Sequence, residues 1–201
     1  MIGPILHSGF MPEPAAHPQR ETQVVESAPQ LIVRRYLIDD PISDITQLLH
    51  RSYAVQHSMG LRPLAGRQDD KTTLGRVLNS ECYLALLPDA DEPERQRIVG
   101  VILFNEHEQV AFPDFFLQPH VDHFAMFAVE PGLQGHGIGR SLLEKCEARA
   151  REEGSSELAL SMAEPDTALR SYYERRGYRF VEHWQWPYTN YRSCILSKPI
   201  D

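Results

Sequence analysis

The sequence predicts an α/β domain with one central mixed, mostly antiparallel sheet flanked by helices. Three observations carry this expectation. Residues 124–143, FAMFAVEPGLQGHGIGRSLL, pass from an apolar segment through a glycine-rich break into helical spacing, with Ile138, Leu142, Leu143 and Cys146 on one face. Seven short apolar segments read as strands. Only one of the segment pairs, on either side of that glycine-rich stretch, reads as a strand–helix–strand crossover suited to parallel pairing.

Taken in order, residues 1–30 are rich in Pro, Gln, Glu and His and are expected to form a flexible tail, leaving 31–201 as the folded domain. Residues 31–37 (LIVRRYL) read as the first strand. Asp39-Asp40-Pro41 predicts a helix start with acidic caps and proline in the first turn. Ile42, Ile45, Leu48, Leu49, Tyr53 and Val55 give that helix its apolar stripe, ending near Gly60. Asp69 or Asp70 is suited to cap a second helix reaching Leu78. Strands at 81–87 and 97–104 enclose a polar hairpin loop, with Gly100 a bulge or close-packing point. Residues 105–120 are irregular, and Phe112, Phe115 and Phe116 make them either a lid or a small core cluster. The central strand spans 121–130. Its following helix runs to about Arg151 and stops at Gly154. A buried strand at 157–162, a helix opened by Pro165-Asp166 and closed by Gly177, and strands at 178–186 and 191–197 complete the order β-α-α-β-β-β-α-β-α-β-β.

Composition narrows the function classes. At 42% hydrophobic and 24% charged residues, the chain has an ordinary globular balance. No apolar run approaches membrane-spanning length, and the start lacks the pattern of a secretory signal, so a cytoplasmic protein without membrane partners is expected. Cys82, Cys146 and Cys194 are odd in number and far apart, which argues against a disulfide framework. The formal net charge of −8 disfavours nucleic acid as a partner and suits a cationic or amine substrate. His107, His120 and His123 match no standard zinc spacing, so no metal is expected.

The glycine-rich turn carries the chemistry. Gly135, Gly137 and Gly139 leave backbone N–H groups open to close approach at the positive end of a helix, which suits phosphate oxygens. No Lys-Ser/Thr follows, so a P-loop is not expected, and the glycine spacing differs from the dinucleotide fingerprint. Gln134, Gly137 and Gly139 instead fill Gln/Arg-x-x-Gly-x-Gly/Ala. Further on, Tyr173-Glu174-Arg175-Arg176-Gly177-Tyr178 fills Tyr-Glu-Lys/Arg-x-Gly-Tyr/Phe at the end of a helix. Together these motifs resemble the GNAT superfamily of N-acetyltransferases, and the likeness covers roughly residues 31–198.

The resemblance implies the GNAT fold and an enzyme that moves an acetyl group from acetyl-CoA, with no metal, to a primary amine of a small molecule or peptide. It implies that the backbone of Phe127, Ala128 and Val129 pairs with the pantetheine arm. Gln134, Gly135, His136, Gly137, Ile138, Gly139 and Arg140 then hold the pyrophosphate, and Tyr173 protonates the departing sulfur. In relatives the early helix pair lines the acceptor side, which makes His57, Met59 and Arg62 candidate contacts. Trp184, Trp186, Tyr188 and Tyr191 form an acceptor pocket or ordinary sheet packing. Two residues depart from the pattern. Asp166 stands where many relatives carry Asn, an awkward charge near phosphate. Ser161 stands where some carry a basic Glu, which leaves Asp122, His123 and Glu106 as base candidates, with a surface role favoured for His123. A homodimer is compatible with this reading. The alternatives are a non-catalytic acyl-CoA-binding or sensing module, and a protein N-terminal or lysine acetyltransferase.

Overall fold

A computed structural model describes residues 30–107 and 110–200 of the chain. The expected N-terminal tail lies outside the described residues, apart from Gln30. Among the described residues, seven strands form one sheet: β1 (Ile32–Arg35), β2 (Glu81–Pro88), β3 (Gln96–Phe104), β4 (Val121–Val129), β5 (Glu157–Ala163), β6 (Arg179–Trp184) and β7 (Ser193–Pro199). Their spatial order is β1-β2-β3-β4-β5-β7-β6. Only β4 and β5 pair in parallel. That pair needs the long crossover, which the glycine-opened helix supplies.

The early helix pair is a trio. α1 (Ile42–Ser52) buries Ile45, Leu48 and Leu49 completely, then breaks at Tyr53 before the short α2 (Ala54–Ser58). α3 (Asp70–Leu78) begins as expected, with the Asp69 side chain accepting from the Thr72 N–H at 2.8 Å. Asp40 does not cap α1. Its carboxylate takes both Arg34 guanidinium nitrogens at 2.7 Å and the Leu37 N–H at 2.7 Å, closing the turn between β1 and α1.

The crossover helix α4 (Ile138–Glu153) lays Ile138, Leu142, Leu143, Cys146 and Ala150 on one face of the sheet. Gly100 lets it sit close, because a Cβ there would stand 2.9 Å from Leu142 Cδ1 and 3.2 Å from Ile138 Cγ2. A register shift between Ala85 and Leu86 lies beside it, so Gly100 serves packing next to a bulge. α5 (Thr167–Glu174) covers the same face, and α1 and α3 cover the other beside Val101, Leu103 and Ala128. Of the two expectations for the aromatic loop, the core cluster is the one observed: Phe116 is buried with Val121, Ala159, Trp186 and Ile195, and with Phe112 it also lines the main cleft. No helix among the described residues is long and apolar enough to cross a membrane.

Candidate active site

The site originates in a mismatch between neighbouring strands. β4 and β5 pair only from Val121↔Glu157 to Phe124↔Leu160. Beyond that point β5 pairs with β7 alone, through Ser161, Met162 and Ala163, while β4 pairs with β3 alone, through Ala128 and Val129. The two strands therefore fork. A bulge in β4 bends it away: two residues, Met126 and Phe127, stand between the pairs at Ala125 and Ala128, against only Ile102 on β3. Met126 takes a left-handed φ of 50°, uncommon for a side chain with a Cβ and a mark of strain held by its surroundings. Met126 is buried, and its sulfur accepts from Gln68 Nε2 at 3.5 Å.

The Glu130 N–H bonds to Val99 across the ladder, so strand alternation turns the peptide groups of Phe127 and Val129 toward the fork. Their carbonyls are anchored from α1 and the residue after it. The Tyr53 hydroxyl donates to Phe127 O at 3.3 Å, and Ser52 Oγ donates to Val129 O at 2.9 Å. Arg51 grips the Glu130 carboxylate at 2.8 Å just beyond the strand. The open bonding positions left along this edge are N–H groups, suited to an amide-containing arm or an acyl oxygen.

At the mouth of the fork, β4 leads through a 3₁₀ turn at Pro131–Leu133 into the glycine turn. Gly135 and Gly137 have φ of +85° and +86°, and Gly137 is the N-terminal cap of α4. A Cβ on Gly139 would come within 3.1 Å of Phe127 Cζ and 3.5 Å of the Tyr172 hydroxyl. Gln134, Gly135, His136, Gly137, Gly139 and Arg140 all line the cleft. Ile138 turns its side chain into the core, so only its backbone N–H is available to a ligand. Arg140 is exposed, with Glu144 at 3.8 Å. Sequence reasoning passed over Arg176, whose guanidinium lies 3.5 Å above the Tyr172 ring and adds a second positive charge to this end.

The cleft, of about 990 Å³, runs from this turn through the fork to a second chamber. Tyr173 lies at the junction, 4% exposed, its ring 6.1 Å from Phe124 and 5.6 Å from Tyr178. Burial pushes its pKa well above the ordinary value of 10, so it stays protonated at neutral pH. Tyr53 and Tyr191 also line the junction, and burial raises both, Tyr53 to about 12.

The second chamber has Arg76 and Glu106 at its floor. Arg76 Nε and Nη2 bind the two Glu106 oxygens at 2.6 and 2.7 Å, and Nη1 donates to Gln68 Oε1 at 3.0 Å. Glu106 is thereby tied up as a cation's partner, which corrects its standing as a base candidate. Asp122 also fails as one: it does not line the cleft, and its Oδ1 accepts from Asn105 Nδ2 at 2.7 Å. His123 is not a surface residue. It is 8% exposed, stacked on Phe116 at 4.7 Å, and burial depresses its pKa to about 4. Its Nε2 lies 3.2 Å from the Glu106 carbonyl oxygen, an acceptor, so Nε2 carries the proton and the ring is neutral.

The remaining expectations divide. Trp186, Tyr188 and Tyr191 line the cleft and Trp184 does not. His57, Met59 and Arg62 lie outside it; the His57 ring packs against Gly66, where a Cβ would meet Nε2 at 2.8 Å. Asp166 is not an exposed charge facing phosphate: Oδ1 accepts from Leu169 N at 3.0 Å as the cap of α5, and Oδ2 accepts from the buried Gln56 at 3.0 Å. Ser161 accepts from Trp186 Nε1 at 2.8 Å. Among the described residues, Glu164, His183 and Cys194 bring metal-type ligand atoms within 4.8 Å of one another, away from the cleft, but the Glu164 carboxylate already holds Arg192 at 2.7 Å through both oxygens.

A family model described as the Acetyltransferase (GNAT) family matches residues 42–178. No curated protein sequence matches significantly. Solved structures do. A GNAT family acetyltransferase from Elizabethkingia anophelis with acetyl-CoA bound aligns with a TM-score of 0.56 at 15% identity, covering 84% of this chain and 97% of that one. The PaiA N-acetyltransferase from Thermoplasma acidophilum in complex with coenzyme A gives 0.61 at 14%, covering 85% and 99%. The ribosomal-protein-S18-alanine N-acetyltransferase from Escherichia coli gives 0.58 at 15%, covering 86% and 95%. At these identities the structural likeness speaks for the fold.

Proposed function

This chain belongs to the GNAT acetyltransferase family, and from that premise we propose that it transfers an acetyl group from acetyl-CoA to the neutral primary amine of a small molecule or peptide. One observation carries the reading: the β4–β5 fork opens at one end onto the glycine turn and at the other onto the Arg76–Glu106 chamber, with Tyr173 at the junction. The crystallised relatives that hold acetyl-CoA or coenzyme A support the choice of cosubstrate.

Acetyl-CoA supplies a thioester already activated for acyl transfer. The turn residues Gln134–Arg140 hold its phosphates through backbone N–H groups, helped by Arg140 and Arg176. The Phe127–Val129 edge of β4 binds the pantetheine arm and presents an N–H to the acetyl oxygen as charge develops there. The amine nitrogen attacks the carbonyl carbon directly, the C–N bond forms as the C–S bond breaks, and the proton that the nitrogen sheds ends on the departing thiolate or in solvent water. Tyr173 donates a hydrogen bond to the departing sulfur. A thiol's pKa of about 8.5 lies below that of this tyrosine, so full proton transfer from it is uphill and the donated bond is its contribution. The amine enters as its free base, because His123 is too weak a base and Glu106 is held by Arg76. A cytoplasmic setting fits the three buried, unbridged cysteines.

The test is release of free thiol from acetyl-CoA by purified protein against a panel of amines and peptides, with amide formation confirmed by mass. Tight acetyl-CoA binding without thiol release above hydrolysis for any acceptor would favour the non-catalytic acyl-CoA-binding reading.

A further inference from the structure

The acceptor chamber is walled by rings rather than by charge. Phe116 stacks flat on His123 at 4.7 Å, Phe112 meets Trp186 edge-on at 5.7 Å, and Trp186 stacks on Tyr188 at 5.7 Å. Ser161 fixes the Trp186 indole by accepting its N–H at 2.8 Å. Ser161 on β5 therefore anchors the wall.

The chamber's electrostatics point the same way. Among the described residues, the carboxylates lining the cleft are Glu106 and Asp166. Glu106 is neutralised by a bidentate bond to Arg76, and Asp166 is spent on the α5 cap and Gln56. His123 is uncharged at neutral pH. An acceptor with several ammonium groups would meet no free carboxylate along these walls to replace the water it gives up, which is costly for each ammonium that loses its hydration. An acceptor with one amine and a flat apolar body matches the ring faces and brings no second charge.

We propose that the acceptor is a monoamine with an aromatic or similarly flat apolar body, seated against Phe112, Phe116 and Trp186 with its amine directed to the fork. This rests on the acetyl-transfer reading and narrows it. Polyamines and aminocyclitol antibiotics are excluded as preferred acceptors.

The experiment compares phenethylamine, ethylamine, spermidine and kanamycin by thiol release, and measures phenethylamine binding to the coenzyme A-loaded protein by calorimetry. Phenethylamine should exceed ethylamine in kcat/KM by about tenfold or more, the scale of one good ring–ring contact plus its buried area. Trp186→Leu should remove most of that preference and leave the acetyl-CoA dissociation constant unchanged. Phe112→Ala, nearer the rim, is the second variant should Trp186→Leu unfold. Spermidine or kanamycin turning over as well as phenethylamine overturns the ligand class and leaves acetyl transfer standing. Phenethylamine binding without thiol release from any amine overturns transfer and leaves the ligand class standing. Failure of phenethylamine both to bind and to turn over overturns the proposal.

Discussion

Replacing Tyr173 by Phe keeps the ring and removes only a hydroxyl at the junction of the fork. The ring is 4% exposed and packs on Phe124, Tyr172 and Tyr178, contacts that phenylalanine retains. The hydroxyl lines the cleft and has no hydrogen-bond partner among the described residues, so the fold should lose well under about 1 kcal/mol. The catalytic effect should be larger. A hydrogen bond to a charged acceptor such as a departing thiolate contributes about 1.5–3 kcal/mol, or about 10- to 150-fold in kcat at 1.36 kcal/mol per tenfold. Because the tyrosine titrates far above pH 9, its loss should lower the whole pH–rate profile between pH 6 and 9 without deleting a limb. Steady-state thiol release, calorimetric acetyl-CoA affinity and thermal melting together separate these effects. A change in kcat below twofold, or an equal loss of acetyl-CoA affinity, would refute the role. Tyr172→Phe is the comparator. Its hydroxyl sits beside Gly139 and its ring under Arg176, so any effect belongs in cofactor affinity rather than in kcat.

Gly139→Val should weaken acetyl-CoA binding at least tenfold by calorimetry, because its side chain meets Phe127 and Tyr172 and fills the phosphate approach, and Gly137→Val should do the same through its φ of +86°; unchanged affinity in both would mean the phosphates bind elsewhere. Arg76→Ala should destabilise the protein by about 3–5 kcal/mol in urea titration, since it strands a Glu106 side chain that is 2% exposed, whereas the double change Arg76→Met with Glu106→Leu should recover most of that stability. His123 is neutral in the fold with a pKa near 4 and charges near 6.5 when unfolded, so its contribution is complete above pH 6.5 and is lost as the pH falls to 4, by about 3 kcal/mol at most. The groups facing it are Glu106, His107 and Asp122. The urea midpoint of His123→Phe should therefore fall less than that of the parent between pH 7 and 4.5, and parallel curves would show that the histidine is charged in the fold.

The sequence determined the parts of this protein that depend on neighbours along the chain. The strand, glycine turn and helix at 124–143 were legible because a tight turn from a strand into a helix needs residues without a Cβ close to the helix start, and all of them lie within one short segment. The order of strands along the chain, the opening of α3 at Asp69-Asp70 and of α5 at Asp166, and the end of α4 at Gly154 were legible for the same reason, although only the structure picks Asp69 of the two aspartates as the cap. Asp40 was misread because a carboxylate before proline suits a cap equally well, and only the folded turn brings Arg34 within reach. Tertiary structure decided the rest. Arg76 and Glu106 are 30 residues apart, and nothing along the chain ties Glu106, a base candidate by sequence, to the guanidinium it meets in the cleft. His123 looked exposed at a strand start, but the loop carrying Phe112 and Phe116 folds over it. The left-handed Met126 that opens the fork leaves no trace in composition, because methionine has no preference for that conformation and adopts it only when the paired strands on either side fix the register.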